Sequence, residues 1–157
     1  MSSPVQLANY RIKKLNFEIT ADFQEFDIAK AAFDLNVDYE LFGDNEDESK
    51  HKVDLYLELI PSTDKDIFLP FEVELIIEGI FLFGEEIDKG ERVYHLNVSC
   101  PSMLYGVARN LVHQMTGQTN YGNISIPSVQ FSEIAKQKSE ELESLENHDS
   151  EQSGTSE

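Results

Sequence analysis

Cys100, Pro101, Arg109 and His113 form the stretch in which residue type and spacing come nearest to chemistry. A cysteine just ahead of a helix would sit in the positive end of the helix dipole, which lowers a thiol pKa and makes a nucleophile. Arg109 and His113 fall one turn apart on such a helix and could form a site pair. No general base is identifiable near Cys100, so the reading adopted is a buried structural cysteine. For Arg109 and His113 it is a helix-surface or subunit-interface pair. His51, His95, His113 and His148 are scattered, without a His-x-x-x-His or Cys-x-x-Cys pattern, and no metal is expected. Asp44, Glu46, Asp47 and Glu48 share the charge of a calcium loop but not the EF-hand spacing. With no nucleotide loop or catalytic signature, neither enzyme activity nor a cofactor is expected.

The elements that would hold these residues are strands first and helices last. Leu15, Phe17 and Ile19 alternate with polar neighbours as a half-buried strand requires, while Tyr10 and Ile12 have the opposite parity. A bulge near Lys13-Lys14 would reconcile the two, or only one half is strand. Phe33 to Leu41 and Val53 to Leu59 alternate cleanly, and Asp44 to His51 between them suits a hairpin loop. Phe71, Val73 and Leu75 alternate until Ile76-Ile77, which implies a strand buried on both faces at one end, or a bulge. Ala21 to Ala32 is either a short helix or an extended crossover loop. From Met103 to Met115 apolar residues recur every three or four positions; Pro101 suits the first turn, Ser99 or Cys100 the cap and Gly117 the end. A weaker stripe, Phe131 to Leu145, reads as a second helix. The expected fold is α+β: a four-stranded antiparallel sheet followed by two helices packed on one side.

Thirty acidic residues against 12 basic ones in 157 give a net charge of −18. Such a surface repels phosphate backbones and anionic lipid, so nucleic acid and membrane insertion are excluded, and basic or unfolded segments are better partners. One domain is expected over residues 1–147, with 148–157 a disordered acidic tail. No secretory signal or membrane-spanning run is visible, which points to the cytoplasm.

The order of motifs resembles the SecB-type protein-export chaperones, which hold other proteins unfolded and perform no chemistry. Leu15-Asn16-Phe17-Glu18 matches the family's first strand, Phe23, Phe26 and Ile28 its aromatic crossover loop, and Gly79-Ile80-Phe81 the end of a later strand. Cys100 to Arg109 matches its Cys-Pro helix, and Pro127 to Phe131 echoes its last-helix entry. The resemblance covers about residues 10–140. Departures are Tyr105-Gly106 where the family has an aromatic-Pro pair, Thr119-Asn120-Tyr121-Gly122 in place of Gly-Phe-Pro, and Lys14 where it has an acid.

The resemblance implies an ATP-independent holdase that binds unfolded or pre-export polypeptides and delivers them to the translocation motor SecA. It implies a homotetramer, a dimer of dimers, with Met103, Val107, Leu111 and Met115 at subunit contacts. Clients would lie along Phe23, Phe26, Ile28, Tyr121, Ile124, Ile126 and Phe131, and the motor-docking acids would be Glu18 and Glu74. Some relatives instead serve toxin–antitoxin pairs. A different class, an adaptor for one folded partner, stays open: exposed Phe23, Phe26 and Phe131 around one groove would favour the chaperone, and their burial in the core the adaptor.

Overall fold

Alternation draws out four strands in the computed structural model, which describes residues 4–43 and 49–153. They are β1 (Val5–Ile19), β2 (Phe33–Gly43), β3 (Lys50–Pro61) and β4 (Phe71–Phe83). All neighbours run antiparallel in the order β1-β4-β3-β2, which leaves β1 and β2 as edges. Of the expected hairpin loop, Asp44 to His51, residues 44–48 lie outside the described residues, and Lys50 and His51 belong to β3.

β1 meets β4 with register shifts between Leu7 and Asn9 and between Ile12 and Lys14. The second is the bulge that the parity change at Lys13-Lys14 implies. Because of it Tyr10, Ile12, Leu15, Phe17 and Ile19 share one sheet face, while Arg11, Lys14 and Glu18 share the other. β4 carries no bulge against β3. Ile76 interrupts its alternation because it is half-buried on the second face, opposite Tyr56.

The first face is the core. Val53, Leu55, Leu57, Leu59, Phe71, Val73, Leu75, Ile77 and Phe81 are almost fully buried against Cys100, Leu104, Ala108 and Val112 of the main helix. Each such side chain contributes about 1.5–3 kcal/mol by leaving water, before ordering costs. Gly79 sets how closely the helix approaches: a Cβ there would stand 2.6 Å from Leu104 Cδ2 and 2.8 Å from Phe81 Cε2.

That helix starts earlier than expected. Asp88 caps α1 (Lys89–Tyr94), accepting from the Glu91 N–H at 2.8 Å. The chain stays helical through a π turn at His95–Ser99 into α2 (Cys100–Thr116). Ser99 therefore caps nothing, and Cys100 and Pro101 are interior. An interior proline lacks an N–H and crowds the carbonyl four residues back, and the wider π turn relieves that crowding. Around it Asn97 Nδ2 donates to Val93 O at 2.8 Å and Ser102 Oγ to Val98 O at 2.6 Å. The last helix, α3 (Phe131–Ser153), runs past the boundary expected at residue 147. Its Glu, Gln and Lys residues favour helix without burial.

Candidate functional site

Ala21–Ala32 is an extended crossover with one short 3₁₀ turn at Ile28–Lys30, so the loop alternative holds. Its aromatics are gathered. Phe23 stacks on Phe26 with centroids 5.5 Å apart, Phe23 meets Phe68 edge-on at 5.1 Å, and Phe26 meets Tyr121 at 5.2 Å. The Phe23 N–H donates to Tyr121 Oη at 3.0 Å, and that hydroxyl lies 3.2 Å from Asp22 Oδ1. Tyr121 thus ties the crossover to the α2–α3 connection. Phe68 carries no period in the sequence and comes in only through the Ala32–Phe68 bridge.

The residues expected along the groove divide by burial. Phe23, Phe26 and Ile28 are half-buried and present surface; Tyr121 shows little. Ile124, Ile126 and Phe131 are core residues, with Phe131 only 1% exposed and wedged edge-on between the Tyr39 and Tyr105 rings. Their apolar character serves the chain's own packing: Tyr105 Oη donates to Pro127 O, and the Ile124 N–H to Thr116 Oγ1 at 2.9 Å. Of the three phenylalanines set to separate chaperone from adaptor, two show surface and one is buried.

A second apolar surface lies at the other edge of the sheet. A cleft of about 640 Å³ opens between β2, α1 and α3, walled by Leu41, Val93, Tyr94, Val98, Ala135 and Leu142. Leu41, Val93, Tyr94 and Leu142 are exposed, Leu142 by 62%. At its mouth Lys138 Nζ donates to the Tyr39 carbonyl at 2.7 Å and pairs with Asp38 at 2.8 Å. Burial, and then the Asp38 charge, push the Tyr39 phenol up. The α1 wall lies ahead of the Met103–Met115 stripe that marks the helix in the sequence, and its own signal there is the Asp88-x-x-Glu91 capping pattern.

Nothing at the Cys-Pro stretch is set up for chemistry. Cys100 is fully buried inside a helix, and burial pushes its thiol up to about 12. Arg109 is exposed on α2, and His113 Nδ1 lies 3.5 Å from Ser125 Oγ. Among the described residues no group of His, Cys, Asp or Glu could hold a metal ion, and no helix is long and apolar enough to cross a membrane.

Two further surfaces matter. On α2, Met103 is 36% exposed and Val107, Leu111 and Met115 are half-buried along one side. Nearby, β1 shows Tyr10, Ile12, Leu15 and Ile19 on the core face, exposed by 42–54%. On the other sheet face Glu18 stands opposite Glu72, and Glu74 opposite Glu58. Glu74 is not a bare acid, for Lys14 Nζ pairs with it at 2.9 Å.

Comparison with known proteins bears on these apolar surfaces. The sequence profile of SecB, preprotein translocase subunit SecB, matches residues 2–142. The protein-export protein SecB of Idiomarina loihiensis is 28% identical over 135 residues, covering 83% of this chain and 77% of its own length. That of Rickettsia rickettsii is 29% identical over 108 residues, covering 69% and 68%. Among solved structures, the Mycobacterium tuberculosis SecB-like chaperone Rv1957, in complex with a ChAD peptide from the Rv1956 HigA1 antitoxin, superposes with a TM-score of 0.60. It is 14% identical and the match covers 81% of this chain and 88% of that one, a likeness of fold. With the profile spanning nearly the whole sheet-and-helix unit, this chain belongs to the SecB family.

Proposed function

We propose that this SecB-family chaperone is a non-catalytic, ATP-independent holdase that captures unfolded or pre-export polypeptides in the cytoplasm. The observation that carries this reading is the apolar cleft at the β2 edge, where four large side chains from three elements stay exposed around a strand with a free side. An extended segment can seat alternate side chains there while its backbone follows the strand. Phe23, Phe26, Phe68 and the edge of Tyr121 offer a second apolar patch, with half-buried Ile28 on the same crossover. Ile124, Ile126 and Phe131 are core residues behind these surfaces, with Phe131 packed against Tyr39 at the β2 edge. The working unit is the single domain of residues 1–147, with the acidic end of α3 as an appendage that favours basic clients.

One patch binds weakly, since each large client side chain contributes only about 1.5–3 kcal/mol before ordering costs. Several patches on one assembly raise apparent affinity by about 10²–10⁴. The assembly proposed is a homotetramer, two dimers joined through Met103, Val107, Leu111 and Met115 of α2. The exposed apolar row on β1 supports it, because a monomer rarely leaves such a surface uncovered. Because the chaperone binds the unfolded client and not the native one, mass action alone holds the client open.

Docking to SecA through Glu18 and Glu74 belongs to the same reading, but the Lys14–Glu74 pair weighs against it. That pair favours a second reading, a chaperone dedicated to the partner of a toxin–antitoxin system, the kind of peptide Rv1957 was solved with. Light scattering of the purified protein tests the capture reading. A multimer that gains mass with reduced, unfolded polypeptide but not with the native form supports it, and a monomer indifferent to both defeats it.

A further inference from the structure

Strand β2 pairs with β3 on one side only, and its other edge faces the cleft. Along a strand the N–H and C=O of one residue point the same way. Both groups of Tyr39 are turned to that outer edge, and both are taken. The carbonyl accepts from Lys138 Nζ at 2.7 Å, and the N–H donates to Asp38 Oδ1 at 2.8 Å. The same Asp38 oxygen lies 2.8 Å from Lys138 Nζ, which closes a ring of contacts around one residue's backbone. Lys138 also stands 4.7 Å over the Tyr39 ring.

We propose that Lys138 and Asp38 form a displaceable plug on the open edge of β2, and that an extended polypeptide is captured by taking Tyr39's two backbone groups from them. This rests on the capture reading above and names how access to that site is controlled. Three observations favour displacement over a permanent clamp. The Asp38 side chain is 62% exposed and that of Lys138 36%, and an ion pair so wet adds little. Among the described side chains of α3, Lys138 is the last that is half-buried, since every residue from Ser139 to His148 is exposed. The groups it covers are the ones an added strand needs, while Leu41 and Leu142 beside them are already exposed to receive side chains.

A lysine on an edge strand can also serve only to prevent self-pairing, and the experiment separates the two roles. Full-length wild type, Lys138→Met, Lys138→Gln and Lys65→Met are titrated into fluorescein-labelled, reduced and carboxamidomethylated α-lactalbumin, with anisotropy giving Kd. Lys65→Met removes the same charge from an exposed loop and controls for net charge. The plug requires Lys138→Met to bind about threefold to tenfold more tightly than both wild type and Lys65→Met, with Lys138→Gln between. It also requires client binding to slow amide exchange at Tyr39 in wild type. If Lys138→Met matches Lys65→Met, or self-associates in light scattering with an unchanged Kd, the plug is wrong and capture stands. A wild type that ignores the client removes the capture reading itself.

Discussion

Asp54 and Glu78 stand directly opposite one another on β3 and β4, both buried, on the sheet face turned away from α2. Two carboxylates so placed repel unless cations reach them. The cations come largely from β1. Arg11 grips Glu78 with two bonds of 2.9 and 3.3 Å, and Lys13 reaches past β4 to Asp54 at 2.8 Å. Lys52 adds a contact to Glu78 at 3.7 Å. The bulge at Lys13 lets Arg11, Lys13 and Lys14 crowd toward this face while Tyr10, Ile12 and Leu15 hold the other. The edge strand is thus fastened by charge on one face and left apolar on the other.

Removing Lys13 should loosen that fastening. Lys13→Met leaves Asp54 buried with no cation at bonding distance, and its Oδ1 has no hydrogen-bond partner even in the intact network. The expected result is a lower urea midpoint at unchanged slope. Lys13→Met combined with Asp54→Leu should recover most of the loss, because two apolar groups need no partner. A double variant weaker than the single one would show that the pair is not the unit that matters.

Acid should act through Glu78. Burial pushes its carboxyl up, but the Arg11 hydrogen bond and the charges of Arg11, Lys52 and Lys13 outweigh this and hold it below the ordinary glutamate value. A carboxyl lowered by folding stabilises the native state above its unfolded value, and that stability is lost as pH falls through the folded one. Lys13, raised first by its bond to Asp54, contributes below the ordinary lysine value and loses its share only in strong alkali. Between those limits both are in place. Denaturation midpoints should therefore fall with acidification below the glutamate range, and by less in Glu78→Gln.

The Gly79-Ile80-Phe81 motif has a packing cause that substitution can expose. In Gly79→Ala the new Cβ meets Leu104 Cδ2 and Phe81 Cε2 inside contact distance, so both side chains must turn. Overpacking of this kind costs about 1–3 kcal/mol. Thermal unfolding should shift down accordingly. An unchanged melting point would mean that α2 can lift from β4 at no cost, against the burial of Leu104.

Much of this was legible wherever a period was at work. The reversed parity of Tyr10 and Ile12 against Leu15 revealed the bulge because alternation has period two and one extra residue flips it. Ile76-Ile77 correctly signalled a second, half-buried face. The site was less legible because its parts meet only in the fold. Phe68 joins Phe23 across a bridge, Lys138 finds Tyr39 from a helix 99 residues later, and the Asp54–Glu78 pairing depends on strand register. Phe131 was misplaced for the opposite reason: a large aromatic at a helix start reads alike whether it lines a groove or fills the core.

Cys100 offers a simple probe of whether α2 stays packed on the sheet. With the thiol buried and pushed up to about 12, iodoacetamide should not modify the native protein at pH 8, and labelling should follow the unfolding curve in urea. Cys100→Ala should keep client capture. Rapid labelling of the folded chain would mean that α2 separates from the sheet.

Met103 and Leu15 test the assembly without touching the monomer's core, because both stay exposed in the single chain, by 36% and 46%. A stable interface buries about 1,200–2,000 Å², and these two residues lie on the apolar surfaces that α2 and β1 leave uncovered. A carboxylate placed there would cost the assembly a buried charge and the isolated chain almost nothing. In the proposed homotetramer Met103→Asp should therefore halve the mass seen in light scattering, from four chains to two, and Leu15→Asp should weaken a pairing through β1. Each should unfold with little change once its concentration dependence is removed. Client affinity should drop steeply in Met103→Asp, because it follows the number of joined patches. If Met103→Asp kept the mass and bound clients as before, the α2 surface would not join subunits, and avidity would have to come from patches within a smaller unit.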